Sequence, residues 1–242
     1  MEGPRPAHCQ LAALRLNASD HPRAIRSFVT RAGRITSAQA RALETLWPKY
    51  GIEPHGVLDL DAVFGRAAPR TAEIGFGNGE NLLALAAAHP ERDYLGIEVH
   101  RPGVGRVLLG LEERALTNVR LLCHDAVEVL ERHLPEDCLD EILVLFPDPW
   151  PKKRHHKRRL IQPAFVSLLA GCLKSGGIVH LATDWSAYAE EMLATLNAET
   201  RLRNLSPQGA FVPRPPERAA TRFERRGERL GHPVWDLAFE RR

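Results

Sequence analysis

Between Thr71 and Glu80 the chain reads Thr-Ala-Glu73-Ile-Gly75-Phe-Gly77-Asn-Gly79-Glu, an acidic residue followed by three glycines at alternate positions. Glycines in that rhythm permit a tight turn and let a ligand approach the backbone. Two more carboxylates follow, Glu98 in GIEV and Asp125 in CHDA. Glu98, 19 residues after Gly79, stands where an acid can accept both hydroxyls of a ribose, although either acid alone is more often a solvated loop residue or a helix cap. Next comes Phe146-Pro-Asp148-Pro-Trp150-Pro, whose alternating prolines stiffen the backbone and exclude helix, holding Asp148 and Trp150 in place. It runs directly into Lys152-Lys-Arg154-His155-His156-Lys157-Arg158-Arg159, so that six of the ten residues from 150 to 159 are Lys or Arg. A basic run is ordinarily a solvated face, but one that begins beside a carboxylate-lined mouth sets phosphate contacts next to chemistry. His155 and His156 lack partners at ligand spacing, so no metal site is expected. Two later segments complete the set, Ala182-Thr-Asp184-Trp185 and Thr221-Arg222-Phe223-Glu224. Asp184 and Glu224 are the acceptor type that the in-plane protons of a base edge require, although Asp184 also suits a helix cap and Phe223 a buried anchor.

These groups act together only if the elements between them bring them to one rim. Thr71–Ile74, Tyr94–Val99, Val119–Cys123, Leu139–Phe146 and Ile178–Thr183 read as strands. The run at 139–146 is nearly continuous in apolar residues, as a central strand should be. Asn81–Ala88, Val104–Leu116, Pro163–Leu173 and Ser186–Asn197 read as helices, and the helix from 163 is expected to stop at Lys174-Ser-Gly-Gly177. Ahead of them, Thr36–Tyr50 has apolar residues at helical spacing with Ser37 as candidate cap. Arg201–Leu205 and Val234–Phe239 read as two late strands at one edge, separated by a long Arg/Pro-rich loop. The alternation specifies an α/β fold with a mostly parallel sheet, helices on both faces and an antiparallel edge strand. Its ligands belong outside the carboxyl ends of the strands, where Glu73, Glu98 and Asp125 would line one rim and Asp148 would stand at the mouth of the 139–146 strand.

The chain has 242 residues with 44% hydrophobic and 26% charged composition, enough for one large domain. Residues 1–34 read as a basic, mobile arm ahead of a single domain over 35–242. No apolar run approaches the roughly 18 residues of a membrane span, and Met1–Gln10 lacks a secretory pattern, which favours a cytoplasmic protein. Four scattered cysteines without a CxxC pair suggest neither zinc nor a disulfide framework. The net charge of +3 conceals a strong polarity: +4 over residues 1–34, −9 over 35–149 and +8 over 150–242. An acidic body flanked by two basic regions suits a polyanionic partner.

The glycine spacing departs from GxGxxG, because the third glycine comes one residue early and Glu80 takes its slot. That argues against a nicotinamide dehydrogenase. GxGxG with a preceding Glu resembles the cofactor loop of class I S-adenosylmethionine-dependent methyltransferases, whose fold is Rossmann-like. Together AEIGFGNG, GIEVHRPGVG, CHDA, FPDPWPKKRHHKRRL, ATDW and TRFERRGERLGH resemble the bacterial tRNA (guanine-N7)-methyltransferase family, over about residues 26–232. The resemblance implies methyl transfer from S-adenosylmethionine to N7 of guanine at position 46, in the tRNA variable loop. It implies Glu73, Gly75, Gly77, Gly79, Glu98, Asp125 and Asp148 for the cofactor, with Asp148 also the catalytic residue. It implies Lys152, Asp184, Thr221, Arg222, Phe223 and Glu224 for the substrate base, and Arg154, His155, His156, Lys157, Arg158 and Arg159 for RNA. tRNA is the expected partner, with no metal, membrane or obligatory protein partner. Arg222 stands where the family commonly has Lys, which keeps charge but changes hydrogen-bond geometry. The rival readings are a methyltransferase of another RNA or a small molecule, and a non-catalytic RNA-binding protein with a vestigial pocket.

Overall fold

A computed structural model describes residues 26–28, 34–216, 218, 224 and 233–242. Most of the expected arm over 1–34 therefore lies outside the described residues. One seven-stranded sheet organises the chain in the order β3-β2-β1-β4-β5-β7-β6. Strands β1 (Arg70–Ile74), β2 (Asp93–Ile97), β3 (Val119–Leu122), β4 (Leu139–Leu145) and β5 (Leu173–Thr183) are parallel, while β7 (Trp235–Arg241) runs antiparallel between β5 and the edge strand β6 (Leu202–Asn204). The antiparallel strand thus belongs to the expected side of the sheet but is inserted one place in from the edge.

The two-residue period of β4 divides the core. Ile142 and Val144 face one way, with α6 (Ala126–Arg132), α7 (Pro163–Cys172) and α8 (Ser186–Ala198); Leu143 and Leu145 face the other, with α1 (Ser37–Thr45), α4 (Glu80–Ala88) and α5 (Arg101–Glu113). A strand buried on both faces reads as a continuous apolar run, which is why β4 was legible. From β1 the chain winds outward through β2 to β3, and from β4 it winds the other way through β5, so the strand order reverses between β1 and β4. The crevice outside their carboxyl ends is where such a sheet binds ligands.

Several local expectations are corrected. The helix expected over 36–50 is two, α1 and α2 (Trp47–Tyr50), because Pro48 can only start a new turn. The cap is Thr36 rather than Ser37: Thr36 Oγ1 accepts from the Gln39 N–H at 3.2 Å and Gln39 Oε1 from the Thr36 N–H at 2.9 Å, a capping box. Two short helices were not anticipated, α3 (Leu60–Phe64), capped by Asp59, and α6, capped by Asp125. Helix α7 ends at Cys172, within a residue of the expected stop, but β5 starts at once at Leu173 rather than at Ile178. Leu173 pairs with Leu139 and Ile178 with Glu141, so the intervening residues bulge out through Gly176 at φ +79°. Cys123, Cys138 and Cys172 are free thiols that burial pushes up to about 11, 11 and 12, so they are not reactive thiolates at neutral pH.

Helix α5 meets the glycine loop at Gly103, where a Cβ would stand 2.2 Å from the Gly77 carbonyl oxygen. Gly103→Ala must push backbone against backbone. It is expected to destabilise by about 1–3 kcal/mol, seen as a drop of several degrees in Tm by calorimetry. An unchanged Tm would show that the loop and helix are not in rigid contact.

Candidate active site

The three glycines after β1 all have positive φ, +72° at Gly75, +55° at Gly77 and +71° at Gly79. Their surroundings separate them. A Cβ on Gly75 or Gly77 would meet nothing within 4 Å, whereas one on Gly79 would lie 2.2 Å from Val107 Cγ2. The first two therefore open onto free space and the third allows α5 to pack. That free space is a cavity of about 360 Å³ at the carboxyl ends of β1, β2 and β4, with Gly75, Gly77, Glu98, Asp125 and Asp148 in its wall. Its floor is apolar, formed by Ile74, Ile97 and Val144.

Each carboxylate is placed differently. Glu98 is largely buried and already serves the backbone, accepting from Gly77 N–H at 2.9 Å, Val99 N–H at 2.7 Å and His100 N–H at 2.9 Å. Asp125 caps α6, accepting from Val127 N–H at 3.0 Å, and burial holds its carboxyl above the usual range against the opposing pull of that bond and of Arg26. Asp148 is exposed at the mouth, on a backbone in which Phe146 (φ +54°) and Trp150 (φ +44°) both take left-handed conformations. Glu73 does not reach the wall. It is buried behind the loop and accepts from Asn81 Nδ2 at 2.9 Å.

The basic run does not stay extended. Once past Pro151 it winds into a short 3₁₀ helix, Lys153–Arg158, with Lys152, Lys153, Arg154 and Lys157 exposed and His155, His156 and Arg158 half-buried. Partial burial, reinforced by Arg154, Arg158, Lys152 and Lys157, holds the His155 imidazole below its usual value. Trp150 is the hinge between run and cavity: the His155 ring meets its edge at 5.9 Å, the Arg158 guanidinium covers it at 5.1 Å, and its indole N–H donates to the Ser27 carbonyl at 3.1 Å. Arg159 is a correction. Expected on RNA, it is buried instead, donating to the Pro149 carbonyl at 2.9 Å, ion-paired with Glu191 and lying 4.7 Å over the Tyr188 ring. A guanidinium in that position anchors the proline segment to α8 and has no surface to offer a phosphate.

Asp184 stands half-exposed where β5 ends, and it does not cap α8, whose N-cap is Trp185 without a side-chain bond. Glu224 is buried and held by Arg218. Thr221, Arg222 and Phe223 lie outside the described residues. Sequence reasoning missed Ser27 and Phe28, which line the cavity. The one available signal was Phe28, an aromatic residue in a segment otherwise read as a solvated arm.

Glu73 has a consequence for pH. Burial, with smaller contributions from Glu141 and Glu98 and against the Asn81 bond, pushes its carboxyl up to about 7. A carboxyl protonated more readily folded than unfolded contributes stability that is present below about pH 4.5 and lost as pH rises through 7. Glu73→Gln should match the wild type near pH 4.5 and exceed it at pH 8, by at most about 3 kcal/mol. Denaturant midpoints across that range check this, and a difference that stays constant with pH would contradict it.

Residues 67–237 match the model of a family described as putative methyltransferases. A tRNA (guanine-N(7)-)-methyltransferase of Halorhodospira halophila is 58% identical over 223 residues, covering 91% of this chain and 96% of that protein. One from Leifsonia xyli is 59% identical over 215 residues, covering 88% and 94%. Among solved structures, the 16S rRNA methyltransferase KamB superposes with a TM-score of 0.54 at 16% identity, covering 80% of this chain and 98% of that one, a likeness of fold alone. With a methyltransferase family model matched over residues 67–237 and 58–59% identity to such enzymes over nearly the whole length, the chain belongs to the tRNA (guanine-N7)-methyltransferase family.

Proposed function

We propose that this protein transfers a methyl group from S-adenosylmethionine to N7 of guanine 46 in the variable loop of tRNA. The observation that carries the reading is the juxtaposition at the mouth of β4. A glycine-lined cavity ends at Asp148, and five residues beyond it a cationic helix begins.

The cavity fits the cofactor in size and chemistry. A volume of about 360 Å³ suits a nucleoside-sized ligand. Gly75 and Gly77 leave room against the backbone for the methionyl part, Glu98 has acceptor capacity beyond its N–H partners for ribose hydroxyls, and the apolar floor suits the adenine. Asp148 adds a carboxylate to the wall of a site meant for a cationic ligand. When bound, the cofactor supplies an electrophilic methyl on a sulfonium centre.

N7 of guanine carries an in-plane lone pair and no proton, so the chain needs no general base. The task of its side chains is alignment, which can account for much of the rate. Asp148 is an orienter and an electrostatic partner for the positive charge that accumulates on the methylated base. The base edge offers N1 and N2 protons to a carboxylate at the rim, and Asp184 stands there. Lys152, Arg154 and Lys157 present their charges outward for phosphates, with His155, His156 and Arg158 behind them.

Labelled methyl transfer to an unmodified tRNA transcript, followed by borohydride reduction and aniline cleavage, tests the reading directly. One cut in the variable loop is expected, and label at another base would reject the assigned position. Asp148→Asn should lower kcat/KM about 10²–10³-fold without loss of fold, the range for removal of one preorganised electrostatic group. Full activity would remove Asp148 from the chemistry. Replacing Lys152, Arg154 and Lys157 with Gln should reduce the slope of log affinity against log salt by about 2, at about 0.7 per phosphate contact. An unaltered slope would place the RNA elsewhere.

A further inference from the structure

The late loop and the sheet are joined by a buried chain of charges. Arg218 grips Glu224 with both ends of its fork, Nη1 to Oε2 at 2.7 Å and Nη2 to Oε1 at 2.9 Å, and Arg214 Nη1 adds a contact to Oε1 at 3.3 Å. On its other side Arg218 meets Asp236, Nε to Oδ1 at 3.0 Å and Nη2 to Oδ2 at 3.2 Å, and Asp236 is shared with His180 Nε2 at 3.0 Å. His180, Arg218, Glu224 and Asp236 are all at most 4% exposed. Asp236 pairs with Ala182 in the sheet, two residues before Asp184, and the Arg218 guanidinium lies 5.7 Å from the ring centroid of Phe146, two residues before Asp148. The bracket therefore sits directly beneath the rim that carries Asp148 and Asp184.

Such a carboxylate is badly suited to read a base. A bidentate guanidinium is the strongest partner a carboxylate finds in a protein, and a buried ion of this kind is costly to strip of its partner. Asp184, by contrast, is half-exposed and is not used as a helix cap.

We propose that Arg218 is a positioning residue for the methyl-transfer reaction. By clamping Glu224 to Asp236 it fixes where the late loop meets the mouths of β4 and β5. Glu224 is the anchor of that clamp, and discrimination of the guanine edge falls to Asp184. The inference rests on the guanine reading given above and reassigns one of the residues expected to contact the base.

The test uses full-length protein, cofactor affinity by titration, steady-state kinetics with tRNA, and a tRNA carrying inosine, which lacks the N2 amino group, in place of the target guanosine. Arg218→Lys keeps the charge and loses the fork. It should raise KM for tRNA about tenfold, with kcat within about threefold and cofactor affinity within about twofold of wild type. Glu224→Gln should do the same, and the double variant should be no worse than either single one, as expected for two residues acting through one contact. Neither variant should change the preference for guanosine over inosine, whereas Asp184→Asn should diminish it. If Arg218→Lys does not fold, Glu224→Gln carries the test alone, its integrity shown by unchanged cofactor binding. A wild-type KM in Glu224→Gln, or loss of the guanosine preference in that variant, would overturn the proposal. A wild type that binds cofactor yet does not methylate tRNA would overturn the guanine reading, and this inference with it.

Discussion

The Glu98 carboxylate accepts hydrogen bonds from the backbone N–H groups of Gly77, Val99 and His100, and the arrangement of the cavity depends on that contact. Gly77 belongs to the loop after β1 and the other two to the turn after β2, so one side chain ties two strand ends together. Charge-assisted bonds of this kind are stronger than neutral ones and leave the loop little freedom. Residues 75 and 77 then keep their backbone turned toward the cavity, and His100 is held at the start of α5, which in turn rests on Gly77 through Gly103. A group expected to bind a ligand is therefore also the group that builds the ligand's site.

A second tension is held at the end of β4. Phe146 and Trp150 adopt positive φ, a conformation that costs bulky residues of order 1–3 kcal/mol each and persists only where the surroundings enforce it. Here the surroundings are visible. Phe146 N–H donates to the Ala182 carbonyl at 2.8 Å, Trp150 is held by Ser27 and covered by Arg158, and Arg159 grips the Pro149 carbonyl from a buried position. The prolines alone would stiffen this segment without aiming it. Arg159 and the sheet aim it, so that Asp148 faces the cavity while the cations that follow face outward.

Much of this was legible because it depends on local pattern. The apolar run of β4, the Ala/Leu character of α4, and glycines at alternate positions after β1 each reflect a short-range constraint, and the parallel order of the sheet follows from their alternation. What was not legible depends on partners distant in sequence. Nothing in KKRHHKRR distinguishes Arg159 from its neighbours until Glu191 and Tyr188 are beside it. Likewise TRFE offers no sign that Glu224 faces Arg218 and, through it, Asp236 on a later strand. The carboxylate of Glu73 begins the loop and looks like a ligand group, but the strand's alternation turns it away from the cavity, toward Asn81. Helix α6 escaped notice because seven residues carry too short a period to register.

The margins of the sheet also matter. At one side β6 has only three residues, with Arg203 paired to Glu240 of the neighbouring strand. At the other, Ile52 N–H donates to the Leu121 carbonyl at 2.8 Å, and the adjoining Gly51 bridges to Leu121, so the backbone after α2 covers part of β3. Unpaired strand edges are templates on which a second chain can add itself, and short, charged or covered ones are poor templates. With one margin short and charge-paired and the other partly covered, the sheet offers a second copy of the chain little backbone on which to extend it edge to edge.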